Sequence, residues 1–228
     1  STKMETLNEN SALLLYRLPE ETDLKFSIGS WTDNEQLDIV SNNFHFAPFE
    51  SEENKFIRID LKPKKLQGRE NEINDLIFQW LPIDRSENES GGFKELVSKG
   101  LDSISKGILK KVVLSRRKKI DLPNGFKFIE YLDQLSKKFP ECFIYLVLIP
   151  GRMCWLGASP ELLARFDGKK FKTISLAGTL SESQIKKGEE WSLKEKEEQE
   201  MVTSFILDKI QALKLKELSL EGPKTFKT

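Results

Sequence analysis

The chain has 228 residues, enough to bury a sizeable core in one large or two small domains. Its 36 Lys+Arg balance 36 Asp+Glu, so no net basic field invites nucleic acid. No apolar stretch reaches the roughly 18 residues a membrane span needs. A lone histidine, His45, leaves no room for a multi-histidine metal site or a histidine-based triad within these residues.

Residues 1–85 read as a β-rich part of short strands and turns, SALLLYRL, KFSIGSW and NKFIRIDL, punctuated by Gly29, Pro63 and Gly68. No chemical motif falls there, and His45 reads as a packed or surface histidine. The opening run STKMETLNENSALLLYRL lacks the pattern of a cleaved signal peptide. SENESGG at 86–92 reads as a polar linker to a second part, 93–228. Phe93, Leu96, Val97, Leu101, Ile104 and Ile108 then recur at helical spacing and predict a helix that buries one face. KKVVLSRRKKI, 110–120, predicts a strand, with its RRKKI end at the surface. Pro123, Asn124 and Gly125 turn the chain into a helix at about 126–138. CFIYLVLIP and MCWLGA predict a hairpin around Pro150-Gly151, and Asp167-Gly168 predicts another, turning LLARF back into KKFKTISLAG. Cys142 and Cys154 lie in these apolar strands and read as buried free thiols, which suits a cytoplasmic protein. A long helix is expected over roughly 184–213, followed by a strand-like LKELSL.

Three segments carry candidate chemistry. Strand alternation in 110–120 puts Lys111, Val113 and Ser115 on one face and Lys110, Val112 and Leu114 on the other. One lysine therefore joins an apolar row, where burial lowers its pKa and makes it usable as a base. The competing reading is an edge strand protected by charge. GASPELLARF, 157–166, sets Glu161 within an apolar run, where desolvation raises a carboxyl pKa and makes it a usable general acid. The plain alternative is a carboxylate that caps the turn after Ser159-Pro160 and points to water. On the long helix, Glu195 and Glu198 share the stripe of Trp191 and Val202, with Glu197 and Glu200 opposite. Two inward carboxylates one turn apart suit Mg²⁺, although a solvated charge run is the commoner case.

KVVLSR at 111–116, GASPELL at 157–163, LAGT at 176–179 and the acidic helix around Glu195–Val202 together resemble the chorismate-utilising enzymes. The resemblance runs from about residue 93 to 213. It implies an α+β fold of layered mixed and antiparallel β-sheets flanked by helices, with chorismate and Mg²⁺ in a cleft. A lysine at position 111 suits the members that add water, and an alanine at 177 argues against those that attach covalently through a lysine there. The resemblance therefore points to isochorismate synthase, in menaquinone or siderophore supply. It makes Lys111 the base, Glu161 the acid and Glu198 a Mg²⁺ ligand supported by Glu195. Gly178 and Thr179 would shape the substrate pocket. Family chains continue well past the equivalent of residue 228, so the fold reads as incomplete. The chain then reads as a fragment, expected to be inactive by itself and prone to self-association. Salicylate synthase and a non-catalytic module of the same fold are the alternatives.

Overall fold

A computed structural model describes residues 8–34, 42–48, 56–82, 92–213 and 217–222. The chain divides into two compact units. The first comprises Ser1–Leu15, Lys25–Asp133 and Leu146–Trp155; the second comprises Tyr16–Leu24, Gln134–Tyr145 and Leu156–Thr228.

The sheet is built from β1 (Ser11–Arg17), β2 (Lys25–Asn34), β3 (Asn43–Phe46), β4 (Phe56–Asp60), β6 (Phe143–Ile149) and β7 (Met153–Ser159), in the order β3-β4-β2-β1-β6-β7. A short β5 (Lys64–Lys65) pairs with β2 off this path. β1 and β6 are neighbours inside the sheet, and their near-continuous apolar sequences, SALLLYR and FIYLVLI, are what a strand covered on both faces needs. β4 runs antiparallel to both neighbours, with Trp31↔Ile59 on one side and Phe44↔Ile59 on the other. At Gly29 a Cβ would overlap the carbonyl oxygen of Asp60, so only glycine lets these two backbones meet there. His45 packs its ring on Phe56 at 5.0 Å, as a structural histidine.

The first unit also holds a helix and a strand that the sequence reading did not foresee, α1 (Glu70–Trp80) and β3. Ile73, Leu76 and Ile77 give α1 its buried stripe. Beside them, buried Asn74 accepts the N–H of Ile129 at 3.1 Å, satisfying a donor in the first turn of α3 (Phe128–Lys138). Phe78 and Phe128 meet edge to face at 5.3 Å over the same junction.

α2 (Phe93–Ser105) forms as expected, but its apolar stripe is not buried. Leu101 is 62% exposed, and Phe93, Leu96, Val97 and Ile104 are exposed as well. The segment 110–120 is not a strand either; among the described residues no ladder includes it. The expected alternation nevertheless survives in part. Val112 and Leu114 approach Gly100 of α2, whereas Val113 is 81% exposed.

In the second unit, Arg17 is 1% exposed and donates five hydrogen bonds to backbone carbonyls. Its Nη1 reaches Leu18, Glu21 and Pro140, and its Nη2 reaches Phe139 and Cys142, at 2.8–3.1 Å. The last three carbonyls follow the C-terminus of α3, where the helix dipole favours a cation. The hairpin expected at Asp167-Gly168 forms, though with only two residues per strand, β8 (Arg165–Phe166) and β9 (Phe171–Lys172). Asp167 accepts the N–H groups of Lys170 and Lys169, which hold its carboxyl below the ordinary range.

The long helix of 184–213 is two helices, α4 (Glu182–Lys186) and α5 (Leu193–Gln211). Gly188 ends the first with φ +75°, a left-handed conformation that terminates helices readily. Ser192 restarts the second. The part of LKELSL that is described, 217–220, is not a strand, and 214–216 lie outside the described residues with most of the 86–92 linker. Among the described residues no helix is long and apolar enough to cross a membrane. Cys142 is buried and Cys154 half-buried; both are free thiols, and burial pushes the Cys154 thiol up to about 11.

Candidate functional site

α5 is set by its first turn. The carboxylate of Glu195 accepts the N–H of Ser192 at 3.0 Å and also the Ser192 hydroxyl, closing a capping box. These bonds, the hydroxyl first, hold the Glu195 carboxyl below the ordinary carboxylate range. The cap fixes the rotation of everything that follows. Glu195, Glu198, Gln199, Val202, Thr203 and Ile206 fall on a half-buried side, and Glu197 and Glu200 on the exposed side. That is the division the helical spacing predicts.

LAGT lies against this half-buried side. Gly178 has φ +76°, and a Cβ there would stand 3.2 Å from the Glu195 Cβ, 3.3 Å from its carbonyl oxygen and 3.4 Å from the Trp191 ring. Glycine is required twice at this position, for the backbone conformation and for the approach. Ala177 donates its N–H to Gln199 Oε1 at 2.9 Å. Trp191 is also one wall of an open cavity of about 330 Å³, lined further by Leu180, Ile185, Glu189, Glu190 and Lys196. The structure thus brings Gly178 to the Glu195 turn of α5, with Ala177 held one turn further on.

The proton-transfer candidates are placed differently from expectation. Glu161 is exposed, in a stretch without strand structure after Pro160, and its neighbour Leu163 is 90% exposed. The apolar surroundings that would raise its pKa are therefore not built around it, because LLARF contributes only Arg165 and Phe166 to a strand. Lys110 and Lys111 are both exposed, so neither joins a buried row. Lys111 belongs to the first unit, while Glu161, Gly178, Thr179, Glu195 and Glu198 belong to the second.

Other motif residues have structural work. A Cβ on Gly157 would come within 2.8–2.9 Å of the Tyr145 ring and hydroxyl, so the glycine of GASPELL makes space for an aromatic neighbour. Gln199 was not among the residues singled out from sequence. The signal for it was a polar side chain on the inward stripe, adjacent to Glu198.

Among the described residues no three His, Cys, Asp or Glu side chains converge as a metal cluster. Mg²⁺ does not require one: it commonly takes one or two protein carboxylates and completes an octahedral shell with water and substrate oxygens. Half-buried Glu198, with Glu195 one turn behind it, fits that donor chemistry.

The chorismate binding enzyme family model matches residues 27–228. Two curated relatives are isochorismate synthases MenF. That of Pasteurella multocida (strain Pm70) is 29% identical over 122 residues, covering 50% of this chain and 28% of the relative. That of Escherichia coli (strain K12) is 27% identical over 128 residues, covering 53% and 30%. The matches thus take in under a third of the length of these relatives. No solved structure matches. With the family model covering most of the chain, and the motif-bearing LAGT loop seated on the acidic helix, the chain belongs to the chorismate-binding enzyme family.

Proposed function

We propose that this chain carries the acid, base and acidic-helix elements of a Mg²⁺-dependent isochorismate synthase. The observation that supports it most is the half-buried Glu195–Glu198 side of α5 with the Gly178 backbone seated on it. The likeness to two isochorismate synthases points to the same reaction class.

In that reaction Lys111 takes a proton from water as its oxygen bonds to C2 of chorismate. The ring double bonds shift, the C4–oxygen bond breaks, and Glu161 gives its proton to the departing hydroxyl, which leaves as water. The product is an isomer, and proton exchange with solvent restores both groups. Bound Mg²⁺ supplies charge neutralisation for a substrate carboxylate, with Glu198 the residue to hold it and Glu195 in support. Gly178 and Thr179 border the substrate.

Lys111 and Glu161 are exposed in these 228 residues, so the chain by itself is expected to bind chorismate without rapid turnover. An unclamped substrate forfeits much of the roughly 7–11 kcal/mol that orientation can supply. The same exposure favours a second reading, a non-catalytic chorismate-fold module, which need not bind the ligand in a metal-dependent way. Salicylate synthase chemistry would be told apart by its product in any active form that contains this chain.

Calorimetry of the chain with chorismate, with and without Mg²⁺, tests the site. Glu198→Ala should weaken Mg²⁺-dependent binding and Glu200→Ala should leave it unchanged, because the two lie on opposite sides of α5. Equal effects from the two, or binding indifferent to Mg²⁺, would remove Glu198 from the site.

A further inference from the structure

Gln199 uses both ends of its side-chain amide on one short stretch of backbone. Oε1 accepts the Ala177 N–H at 2.9 Å. Nε2 donates toward the Ser175 carbonyl at 3.0 Å, the Ser175 hydroxyl at 2.8 Å and Thr203 Oγ1 at 3.2 Å. Thr203 closes the cluster, lying 2.8 Å from the Ser175 hydroxyl and donating to the Gln199 carbonyl at 2.9 Å.

The stretch so held, 175–180, has no ladder of its own among the described residues. A loop without a ladder takes its place from whatever satisfies its polar groups. Here a donor and an acceptor separated by one residue are matched by a single planar amide, which fixes height and rotation together. Gly178 follows directly and makes its close approach to Glu195.

We propose that Gln199 is a positioning residue for chorismate. It locks Ser175–Ala177, and through them Gly178 and Thr179, against the Glu195–Glu198 side of α5, so that the substrate border and the carboxylate side move as one body. This rests on the chorismate-site reading above. Leucine in its place keeps the volume and removes both bonds. Asparagine keeps the amide but withdraws it by one methylene, so it cannot hold both bonds at their present lengths.

The test is chorismate affinity at saturating Mg²⁺, by calorimetry on the 228-residue chain, with Ala177 amide exchange followed by NMR. Gln199→Leu should weaken binding about tenfold, the scale of one lost neutral hydrogen bond, and should speed Ala177 exchange. Gln199→Asn should weaken binding in the same direction and speed Ala177 exchange as well. If the unsubstituted chain shows no Mg²⁺-dependent binding, the chorismate-site reading falls and this proposal with it. If that chain binds and Gln199→Leu stays within twofold, the positioning role alone is wrong. Ala177 exchange unchanged in Gln199→Leu also overturns it. Should Gln199→Leu fail to fold by circular dichroism, Gln199→Asn decides the matter on the same two readouts.

Discussion

Residues 12–17, 26–28, 56–59, 66–77 and 128–150 contain every buried position among the described residues but one, Gly100. The stretches that carry the family motifs, 107–123 and 157–202, contain none. The first set is apolar runs covered by sheet and helix neighbours. The second is loops, a short hairpin and two helices held by hydrogen bonds, caps and glycines. Hydrophobic burial is the main source of stability, so the two sets should respond to substitution in opposite ways.

The largest expected loss of stability is at Arg17. Arg17→Met preserves much of the stem and strands several carbonyls that the guanidinium now satisfies. A loss on the order of 3 kcal/mol is expected, read from urea unfolding. A shift below 1 kcal/mol would mean that water replaces the clamp and that the core set is less dependent on it than its burial suggests.

The converse case is Lys111 and Glu161. Lys111→Gln and Glu161→Gln should leave unfolding within about 0.5 kcal/mol, as exposed substitutions do. In any active form that contains this chain, each should cut isochorismate formation about 10²–10⁴-fold, the usual range for general acid–base groups. Near-normal turnover by either variant would take that residue out of the mechanism.

Gly178→Ala sharpens the comparison from inside the motif set. Its left-handed backbone and its contacts with Glu195 should cost about 1–2 kcal/mol, although the site is not buried in the core. Unfolding within error of the unsubstituted chain would show that the loop relaxes away from α5.

The smallest effect concerns the cap. Glu195 has its carboxyl lowered in the folded chain, so what it contributes is present above the ordinary glutamate value of about 4.3 and is lost as pH falls through the folded value. Backbone NMR shifts at Ser192 and Leu193 should record fraying of α5 in acid. Glu195→Gln should abolish that pH dependence while keeping an acceptor for the Ser192 N–H. An identical acid titration in the two proteins would assign the fraying to another group.

The comparison also explains what could be read from the residues alone. SALLLYRL, CFIYLVLIP and MCWLGA were legible because their own composition, with turn signals at their ends, specifies strands whatever lies elsewhere. The inward placing of Glu195 and Glu198 was legible because helix phase is local. The strand expected at 110–120 and the buried stripe of α2 were not, because both need a partner surface, and no periodicity states whether one is present. α1 was missed although Ile73, Leu76 and Ile77 have helical spacing; the nearby Pro63 and Gly68 turn signals outweighed a short motif. The burial of Glu161 was inferred from neighbours in sequence, and LLARF turned out to be mostly exposed. Gln199 was passed over because a glutamine in a charged run looks like solvent-facing surface, and only its contacts separate it from one.

The break at Gly188 uncouples α5 from the chain that precedes it. Helix phase accumulates at about 100° per residue, so one residue inserted between Leu193 and Glu198 would turn everything beyond it by about that angle and carry Gln199 off the half-buried side. An insertion between Lys187 and Glu190 falls where α4 has already ended and Ser192 has yet to start a new helix. Length variation should therefore be tolerated in that connector and purged a few residues later, so this short stretch can lengthen in relatives while the acidic side keeps its register.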